Sequence, residues 1–467
     1  MRHRFDIETA QVLGYVPSKN VVTPISRRLT LTELTERGRK KPGEAFTGIH
    51  TLYISPLKAL AVDIERNLMK PVTEMGLPIT IENRTGDTPA HKRQRQKTNP
   101  PDILLTTPEQ VALLISHSDA ERFFKDLRYV IFDELHSLVT SKRGHLLSLG
   151  LARLRRLAPD LQTIGLSATV AQPMDLRRWL VAQPEDGEAA AGLITVEGGA
   201  RPNITILQTE DRIPWSGHKA HYAIPEVYKV LKDFQTTLLF VNTRSQAEML
   251  FQELWTVNDD NLPIALHHGS LDVSQRRKVE AAMAENRLRA VVATSTLDLG
   301  IDWGDVDLVI QVGAPKNVKR LVQRIGRANH RYNAPSKALL VPANRFEVVE
   351  CQAAMEAARA HTLDGEPRGP GPRDVLCQHI LATACAAPFD AAALYAEVTT
   401  AGPYAALTQA EFDDCLNFVA TGGYALRAYE RYAKLRKTPE GHWRIANPQV
   451  AQQYRLNVGT IIEEPMV

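Results

Sequence analysis

Residues 131–136 read Ile-Phe-Asp-Glu-Leu-His and close an apolar run that begins at Tyr129. An apolar run of this length predicts a buried strand, with the acidic pair at its carboxyl end. There Asp133 can hold Mg²⁺ through water, and Glu134 can accept a proton from an attacking water. His136 can sense a γ-phosphate or couple to a second lobe. A capped strand end is the other interpretation of this pair, so the stretch needs support from elsewhere in the chain.

The second informative segment is Gln323-Arg324-Ile325-Gly326-Arg327. A Gln-x-x-Gly-Arg segment on a second lobe can supply arginines that stabilise a phosphoryl-transfer transition state. Arg324 and Arg327 are three residues apart, which predicts one helix face aimed at developing γ-phosphate charge. An isolated arginine more often forms a surface ion pair. Together the two segments predict a motor core that uses ATP and Mg²⁺, with Gln323, Arg324 and Arg327 as catalytic and ATP-binding candidates beside Asp133 and Glu134.

Short β-type runs alternate with helical patterns twice along the chain. Such alternation predicts parallel sheets with crossover helices, and hence two tandem α/β lobes. Open α/β sheets bind ligands at the carboxyl ends of their strands, which is where the candidate residues lie. The predicted strands are 51–55, 79–83, 103–106, 129–132 and 163–167 in the first lobe, and 237–241, 263–267, 290–294, 308–312 and 338–341 in the second.

Polar loops follow three strands of each lobe. Backbone N–H groups, hydroxyls and helix N-termini in such loops can bind nucleic-acid phosphates. Taken singly, each loop is also an ordinary turn with a helix cap. The candidate DNA contacts are Pro56, Lys58, Arg84, Thr85, Gly86, Asp87, Thr106, Thr107, Pro108 and Glu109 in the first lobe, and Asn242, Thr243, Arg244, His268 and Thr294 in the second.

Two smaller groups complete the candidate residues. Ser167 and Thr169 follow a strand of the first lobe, where they can hydrogen-bond the acidic loop and couple its state to the second lobe. Gly300 and Asp302 suit the ribose side of a bound nucleotide. The adjacent histidines at 267 and 268 have no acidic or cysteine partners at metal-ligand spacing, which favours structure or a DNA contact over a metal site.

Composition limits the remaining classes of function. The 467-residue chain has a formal net charge of +3, so any nucleic-acid surface must be local. The basic run 91–97 and the cluster of Arg153, Arg155 and Arg156 are candidates for that surface, and a solvated face is the alternative. The four cysteines form no Cys-x-x-Cys pair, which predicts reduced thiols and no structural metal. Without a signal peptide or an apolar membrane span, the expected location is the cytoplasm, with no membrane partner.

The ordered motifs resemble those of a superfamily 2 DExH helicase. The specific matches are Tyr-Ile-Ser-Pro-Leu-Lys-Ala-Leu at 53–60, Val-Thr-Ser-Lys-Arg-Gly at 139–144, Pro-Trp-Ser-Gly-His at 214–218, Leu-Gly-Ile-Asp-Trp at 299–303 and Gln-Arg-Ile-Gly-Arg-Ala-Asn-His at 323–330. They are most similar to the large helicase-related (Lhr) group, especially its bacterial ligase-associated DExH branch. The likeness extends from about Leu29 to the last residue.

The resemblance implies a fold, a function and a set of partners. It implies RecA-like helicase lobes at 29–192 and 193–360, followed by an incomplete winged-helix-type domain at 361–467. It also implies an ATP-dependent DNA helicase or translocase in DNA repair, moving 3′ to 5′ on single-stranded DNA or on DNA with a 3′ tail. A DNA ligase and a repair nuclease are the implied protein partners. An RNA duplex or a chromatin-like partner is the disfavoured alternative.

One departure from the family pattern affects the predicted activity. The family has a Gly-x-Gly-Lys-Thr phosphate loop shortly before the strand at Tyr53, whereas no Gly-x-x-x-x-Gly-Lys-Ser/Thr loop occurs in this sequence. Lys19 lacks the surrounding glycines that would let backbone N–H groups wrap a phosphate. We interpret residues 1–28 as an aberrant segment and the chain as truncated at both ends. An ATPase-inactive, nucleic-acid-binding fragment of such a helicase is therefore the alternative function.

The missing loop also has a structural consequence. The strand that leads into it is central in this fold, so its two neighbours are expected to show unpaired edges unless another segment replaces it. The segment 10–16 is a candidate replacement, although its pattern is unconvincing.

Overall fold

The described part of the chain forms two units. The computed structural model describes the backbone of 20–23 and residues 48–167, 170, 172–195, 201–217, 219–298, 305–328, 335–360, 362–365, 369–423, 426, 429 and 432–458. Unit 1 comprises residues 1–168, 172–196 and 367–467, and unit 2 comprises 169–171 and 197–366. Within the described ranges, no helix combines the length and the apolar character needed to cross a bilayer.

Unit 1 contains a seven-stranded sheet of order β3-β4-β2-β5-β6-β1-β7. The pairs from β3 to β6 are all parallel, as predicted for the first lobe. Strands β2 and β5 are neighbours near the centre of the sheet, and all of their residues are buried except Ile131, which is partly buried. The strands are β1 Asn20–Thr23, β2 Thr51–Ile54, β3 Ile81–Arg84, β4 Ile103–Thr106, β5 Tyr129–Phe132, β6 Gln162–Ser167 and β7 Gly192–Thr195.

Seven helices connect these strands within the described ranges of the lobe. Several begin directly after a strand, so that their N-termini lie at the carboxyl edge of the sheet. The helices are α1 Lys58–Glu74, α2 Ala90–Thr98, α3 Pro108–Ile115, α4 Ala120–Phe124, α5 Leu135–Leu138, α6 Lys142–Leu157 and α7 Pro173–Trp179.

Strand β1 lies one strand from the end of the sheet, between β6 and β7. It pairs with both of them and is antiparallel to each, with Asn20 opposite Ser167. The unpaired edges were expected only without a replacement strand, and β1 provides one for both neighbours. The proposed replacement 10–16 lies outside the described residues. Since β1 runs against its neighbours, its carboxyl end at Thr23 lies at the edge of the sheet opposite the one that carries Asp133.

Unit 2 contains a six-stranded sheet of order β10-β11-β9-β12-β13-β8. All of its pairs are parallel, which confirms the second predicted α/β lobe. Its strands are β8 Asn203–Ile206, β9 Thr237–Phe240, β10 Ile264–His267, β11 Ala290–Ala293, β12 Leu308–Val312 and β13 Lys337–Val341. Its helices are α8 Ile224–Asp233, α9 Arg244–Thr256, α10 Val273–Ala284, α11 Val318–Ile325 and α12 Arg345–Arg359.

The C-terminal region belongs to unit 1 and packs on helices α3 and α6. Ala112, Leu146, Leu149 and Ala152 share one apolar core with residues of this region, including Leu376. Burial of this common face joins the first lobe to the C-terminal helices. The elements of the region are α13 Arg373–Ala386, α14 Ala391–Thr399, α15 Gln409–Thr421, α16 Pro448–Asn457, β14 Leu435–Lys437 and β15 Trp443–Ile445, with the two strands paired antiparallel.

An ion cluster at this junction accounts for the arginines of α6. Arg153 and Arg156 donate to the same carboxylate oxygen of Glu397, at 3.0 and 3.2 Å, and the Glu397 side chain is 5% exposed. Arg155 is partly buried and donates to the carbonyl oxygen of Leu180. All three guanidinium groups bond within unit 1 although the Arg156 side chain is 54% exposed, and a nucleic-acid surface at this cluster stays a prediction.

Candidate active site

The acidic pair lies where β5 ends, at the carboxyl edge of the unit 1 sheet. The backbone N–H of Asp133 donates to Ile54 O at 2.8 Å, which continues the β2–β5 ladder by one residue. Glu134 then adopts a left-handed backbone conformation, with φ of 46° and ψ of 41°. Its own N–H donates to Asp133 Oδ1 at 3.0 Å. Such a conformation is unfavourable for a non-glycine residue, and positions of this kind are enriched at functional sites.

A buried chain of polar groups runs from Glu134 to the next strand. His136 Nε2 lies 3.4 Å from Glu134 Oε2, and His136 Nδ1 lies 3.1 Å from Ser167 Oγ. The side chains of His136 and Glu134 are 1% and 15% exposed. The imidazole therefore connects the carboxylate to the hydroxyl at the end of β6. Of the two predicted coupling residues, Ser167 joins this chain, whereas Thr169 lies outside the described residues.

The donor set at this edge suits a hydrated cation better than a bare one. Mg²⁺ prefers oxygen ligands and keeps several waters, which fits the carboxylate of Asp133. Across the described ranges, no group of three or more His, Cys, Asp or Glu side chains could hold a metal ion. The sequence contributes no glycine-rich loop to cradle phosphates. Asp133 thus fits a hydrated Mg²⁺ ion, but the sequence supplies no glycine-rich loop that would bind the phosphates of the nucleotide.

The exposed members of the predicted DNA contacts in unit 1 lie in the loops after β2 and β3. Lys58 begins α1 and its Nζ pairs with Asp87 Oδ1 at 2.9 Å, with the two side chains 54% and 66% exposed. A Cβ atom at Gly86 would lie only 3.1 Å from Lys58 Nζ, so the absence of a side chain lets the lysine approach this loop. An exposed pair of this kind contributes little stability, which leaves Lys58 able to exchange its partner for a phosphate.

The other predicted contacts of unit 1 are more enclosed. Arg84 is 4% exposed, and its Nη1 donates to Arg93 O at 2.9 Å. Thr106 is fully buried and donates from Oγ1 to Arg84 O at 2.8 Å. These side chains hold the loops in position. Pro56, Thr85, Thr107 and Pro108 are likewise buried.

Arg143 was not among the predicted site residues, although it connects two of the loops. Its Nη2 donates to Pro56 O at 2.9 Å and to Glu109 Oε2 at 3.3 Å, and its Nε donates to Glu109 Oε1 at 2.5 Å. Burial opposes ionisation of Glu109, but the hydrogen bond and charge of Arg143 lower the pKa of that carboxyl. The signal in the sequence was the match at 139–144.

The glycine that follows Arg143 permits the tight start of α6. A Cβ atom at Gly144 would lie 1.8 Å from Leu138 O, so no other residue fits without backbone movement. Ser141 caps the helix by accepting a hydrogen bond from Gly144 N at 3.1 Å. The close approach and the cap together fix the position of Arg143 against its two loops.

The predicted DNA contacts of unit 2 also lie in loops after strands, and some of them are exposed while others are buried. Thr243 and Arg244 are exposed at the start of α9, where Thr243 forms a capping box with Gln246. Asn242 Nδ2 donates to Ala314 O at 2.8 Å and links the ends of β9 and β12. His268 is 2% exposed. Thr294, which follows β11, is also buried.

Arg324 lies inside unit 2. It is 2% exposed and donates to Asp298 Oδ1 at 2.8 Å from Nε and to Gln311 Oε1 at 2.5 Å from Nη1. Its guanidinium carbon lies 4.7 Å from the ring centroid of Phe240. Helix α11 ends one residue after Arg324, so Arg327 lies beyond it. The predicted shared helix face is therefore wrong.

Of the other predicted nucleotide contacts of unit 2, two belong to the described residues and two do not. Gln323 and Arg327 are partly exposed. Gly300 and Asp302 lie outside the described residues.

Three family models match successive parts of the chain. The DEAD/DEAH box helicase model matches residues 24–176. The helicase conserved C-terminal domain model matches residues 222–332. The model of the large helicase-related protein winged helix domain matches residues 356–467.

Individual relatives share these domains. ATP-dependent helicase Lhr-Core protein 2 of Thermococcus barophilus is 36% identical over 449 residues, which cover 91% of this chain and 51% of the relative. The Lhr-Core helicase of Methanothermobacter thermautotrophicus is 34% identical over 438 residues, covering 90% and 50%. The structure of Mycobacterium smegmatis helicase Lhr bound to ssDNA and AMP-PNP has a TM-score of 0.76 and 33% identity, covering 90% of this chain and 55% of that one. The chain spans about half the length of these proteins.

Proposed function

Since the chain belongs to the Lhr group of superfamily 2 helicases, we propose that it forms the motor core of an ATP-dependent DNA helicase. The observation that carries this proposal is the buried chain from Glu134 through His136 to Ser167. A general base, a neutral or charged imidazole and a hydroxyl on the next strand are the parts needed to accept a proton and to transmit that event within the lobe.

The residues of unit 1 suggest the chemical roles. Bound ATP with Mg²⁺ would supply the phosphoryl group whose hydrolysis drives movement. The Asp133 carboxylate would hold the hydrated cation through its waters. Glu134 Oε2 would accept the proton of the attacking water, and the left-handed turn fixes that carboxylate at the strand end. His136 would orient Glu134. We retain Gln323, Arg327, Gly300 and Asp302 as proposed nucleotide contacts from unit 2.

The proposed substrate is single-stranded DNA or DNA with a 3′ tail. The exposed positions Lys58, Thr243 and Arg244 would contact phosphates. In unit 1, Arg143 joins the loop at Pro56 to Glu109. A homologous helicase has been solved with ssDNA, which supports this choice of ligand. Movement from 3′ to 5′, a role in DNA repair, ligase and nuclease partners, the ligase-associated branch and a cytoplasmic location remain part of the proposal.

An ATPase-inactive DNA-binding fragment is the second candidate function. Two observations favour it: the absence of a glycine-rich phosphate loop from the sequence, and the reversed direction of β1. A strand running in this direction cannot lead into a loop at the edge that carries Asp133. DNA binding does not need that loop, because the exposed phosphate-contact positions lie elsewhere.

Steady-state ATP hydrolysis by the 467-residue chain, with and without single-stranded DNA, separates the two functions. The helicase proposal expects turnover that DNA stimulates, because a motor couples hydrolysis to the strand it moves on. Absence of turnover together with intact DNA binding would establish the inactive fragment instead.

Arg327→Ala is expected to lower ATP turnover about a hundredfold and to change nucleotide affinity less than threefold. The reason is that a transition-state contact lowers the barrier without adding to binding of the substrate. Turnover and binding of a fluorescent ATP analogue measure the two quantities. Lys316→Ala, an exposed change on the same unit, is the control. Equal losses of turnover and of nucleotide affinity would show that Arg327 already contacts ATP in the ground state.

A further inference from the structure

A group of basic side chains lies on unit 1, and Arg84 connects it to the predicted DNA-contact loop that follows β3. It consists of Arg84, Arg93, Lys97, His117 and Arg455, named here the basic cluster. Lys97 Nζ lies 3.0 Å from His117 Nε2, and Arg455 Nη2 donates to Ser116 O at 2.9 Å. Arg84 ends β3, Arg93 and Lys97 lie on α2, His117 follows α3, and Arg455 lies on α16. The cluster therefore spans the junction between the first lobe and the C-terminal region.

The positive charges of the basic cluster lie close to one another and to the His117 imidazole. Burial and then the charges of Lys97 and Arg455 lower the pKa of His117 to about 4. Burial likewise lowers the pKa of Lys97, and burial followed by the charge of Arg93 lowers that of Arg84 to about 10. Asp119 provides a counter-charge in each case, but its effect is outweighed. An added anion would relieve this repulsion.

Two donors of the basic cluster also lack acceptors among the described residues. Arg84 Nε and Arg455 Nε are buried and have no hydrogen-bond partner within that part of the chain. A buried N–H without an acceptor costs about 1–3 kcal/mol, and more when it belongs to a charged group. Both guanidinium groups make other bonds through Nη atoms, so their orientation is set. The unmet donors and the excess positive charge indicate an anionic ligand.

The shape of the positive surface favours a linear polyanion over a single ion. Helix α2 reads Ala-His-Lys-Arg-Gln-Arg-Gln-Lys-Thr and contains no acidic residue. Its cations extend the surface along the helix from Lys97 to Lys92 and Arg93, which are half-buried like Lys97. Consecutive phosphates of a nucleic-acid backbone match such a row, whereas one free phosphate would occupy only part of it.

We propose that the basic cluster and helix α2 bind the phosphodiester backbone of DNA at the junction between the first lobe and helix α16. This second contact would extend the bound strand beyond the loops that contain Lys58 and Gly86. The inference rests on the DNA-binding part of the proposed function and is independent of ATP hydrolysis. The sequence run 91–97 would thus bind the DNA backbone together with Arg455, which lies near the end of the described chain.

The test compares two double variants that lose the same charge. Lys97→Gln with Arg455→Gln removes two cations of the basic cluster. Lys70→Gln with Arg128→Gln is the matched control, because both residues are exposed on unit 1 and Arg128 pairs only with exposed Asp160 among the ion pairs described for it. Fluorescence anisotropy with a labelled single-stranded oligonucleotide, over a range of KCl concentrations, gives the affinity and its salt dependence.

The basic-cluster variant is expected to bind about tenfold more weakly at low salt, with a slope of log K against log salt shallower by about 1.4. The control should keep the slope of the unaltered chain. Lys97→Arg with Arg455→Lys, which retains both charges, should restore it. Equal slopes for the basic-cluster variant and the control would overturn the proposal, and would leave an acidic protein segment as the ligand class.

Two further arms keep the result decisive. If the double variant does not fold, Lys97→Gln alone should reduce the slope by about 0.7, and an unchanged slope would again overturn the proposal. Addition of inorganic phosphate at constant ionic strength distinguishes a free anion: phosphate that occupies the cluster without displacing DNA would overturn backbone binding. Absence of ATP hydrolysis would remove the motor function but leave this result intact.

Discussion

Glu134→Gln is expected to reduce DNA-stimulated ATP turnover about a thousandfold and to leave DNA affinity unchanged. Glutamine keeps the size of the side chain but cannot accept the proton of the attacking water, and a positioned general base contributes roughly 10²–10⁴-fold. Glutamine can still contact His136 Nε2, so the buried chain to Ser167 should persist. Single-turnover hydrolysis with saturating ssDNA measures the rate, and anisotropy measures the affinity.

The control for this variant is Glu74→Gln. Glu74 is the last residue of α1, a helix that begins beside the carboxyl end of β2 and runs away from it. This control should behave as the unaltered chain in both measurements. A Glu134→Gln chain that retains more than a tenth of the turnover would remove Glu134 as the base. A parallel loss of DNA affinity would show instead that the left-handed turn at Glu134 maintains the DNA-contact loops.

Arg324→Ala is expected to lower the stability of unit 2 by about 3 kcal/mol. The guanidinium bonds to Asp298 and Gln311 and lies over the ring of Phe240. Burial lowers the pKa of Arg324 in spite of the Asp298 charge, so desolvation exceeds the attraction within the pair. Removal of the Arg324 guanidinium is nevertheless destabilising, because the buried Asp298 carboxylate then loses its closest positive charge. Native-state hydrogen exchange of the β12 amides measures the change in opening free energy.

Two variants make this interpretation specific. Arg320 Nε also lies 3.3 Å from Asp298 Oδ2, but its side chain is 39% exposed, so Arg320→Ala should cost less than about 1 kcal/mol. Combining Arg324→Ala with Asp298→Ala should recover part of the loss, since no buried charge then remains. If Arg324→Ala keeps full stability and instead loses turnover, Arg324 acts on the nucleotide and its burial is incidental.

The strands that carry the acidic pair could be predicted because each is a short apolar run with a polar loop after it. The predicted strands 103–106 and 129–132 have the bounds of β4 and β5. Strand β8 was missed because Asn203–Ile206 is a half-exposed edge strand with one fully buried residue. Strand β1 was missed because the four residues Asn-Val-Val-Thr give no periodic signal, and its direction depends on partners far along the chain.

The orientation of the arginines could not be predicted for a similar reason. Arg324 turns inward because Asp298 and Gln311, on separate elements, provide acceptors there. Arg153 and Arg156 turn towards Glu397, which belongs to the C-terminal region. A local pattern shows that a side chain is charged, but a partner contributed by another element decides whether that charge meets solvent or the interior.

Unit 1 is discontinuous in sequence, since residues 197–366 of unit 2 separate its segments up to 196 from its segment 367–467. In a chain synthesised from its N-terminus, the apolar face of α6 at Leu146 and Leu149 emerges well before the helices α13 and α15 that cover it. At typical translation rates this interval lasts roughly 10 to 45 s, during which the uncovered face can aggregate. The position of the C-terminal region in the chain therefore makes completion of the first lobe a late event in biosynthesis, dependent on protection of the nascent chain.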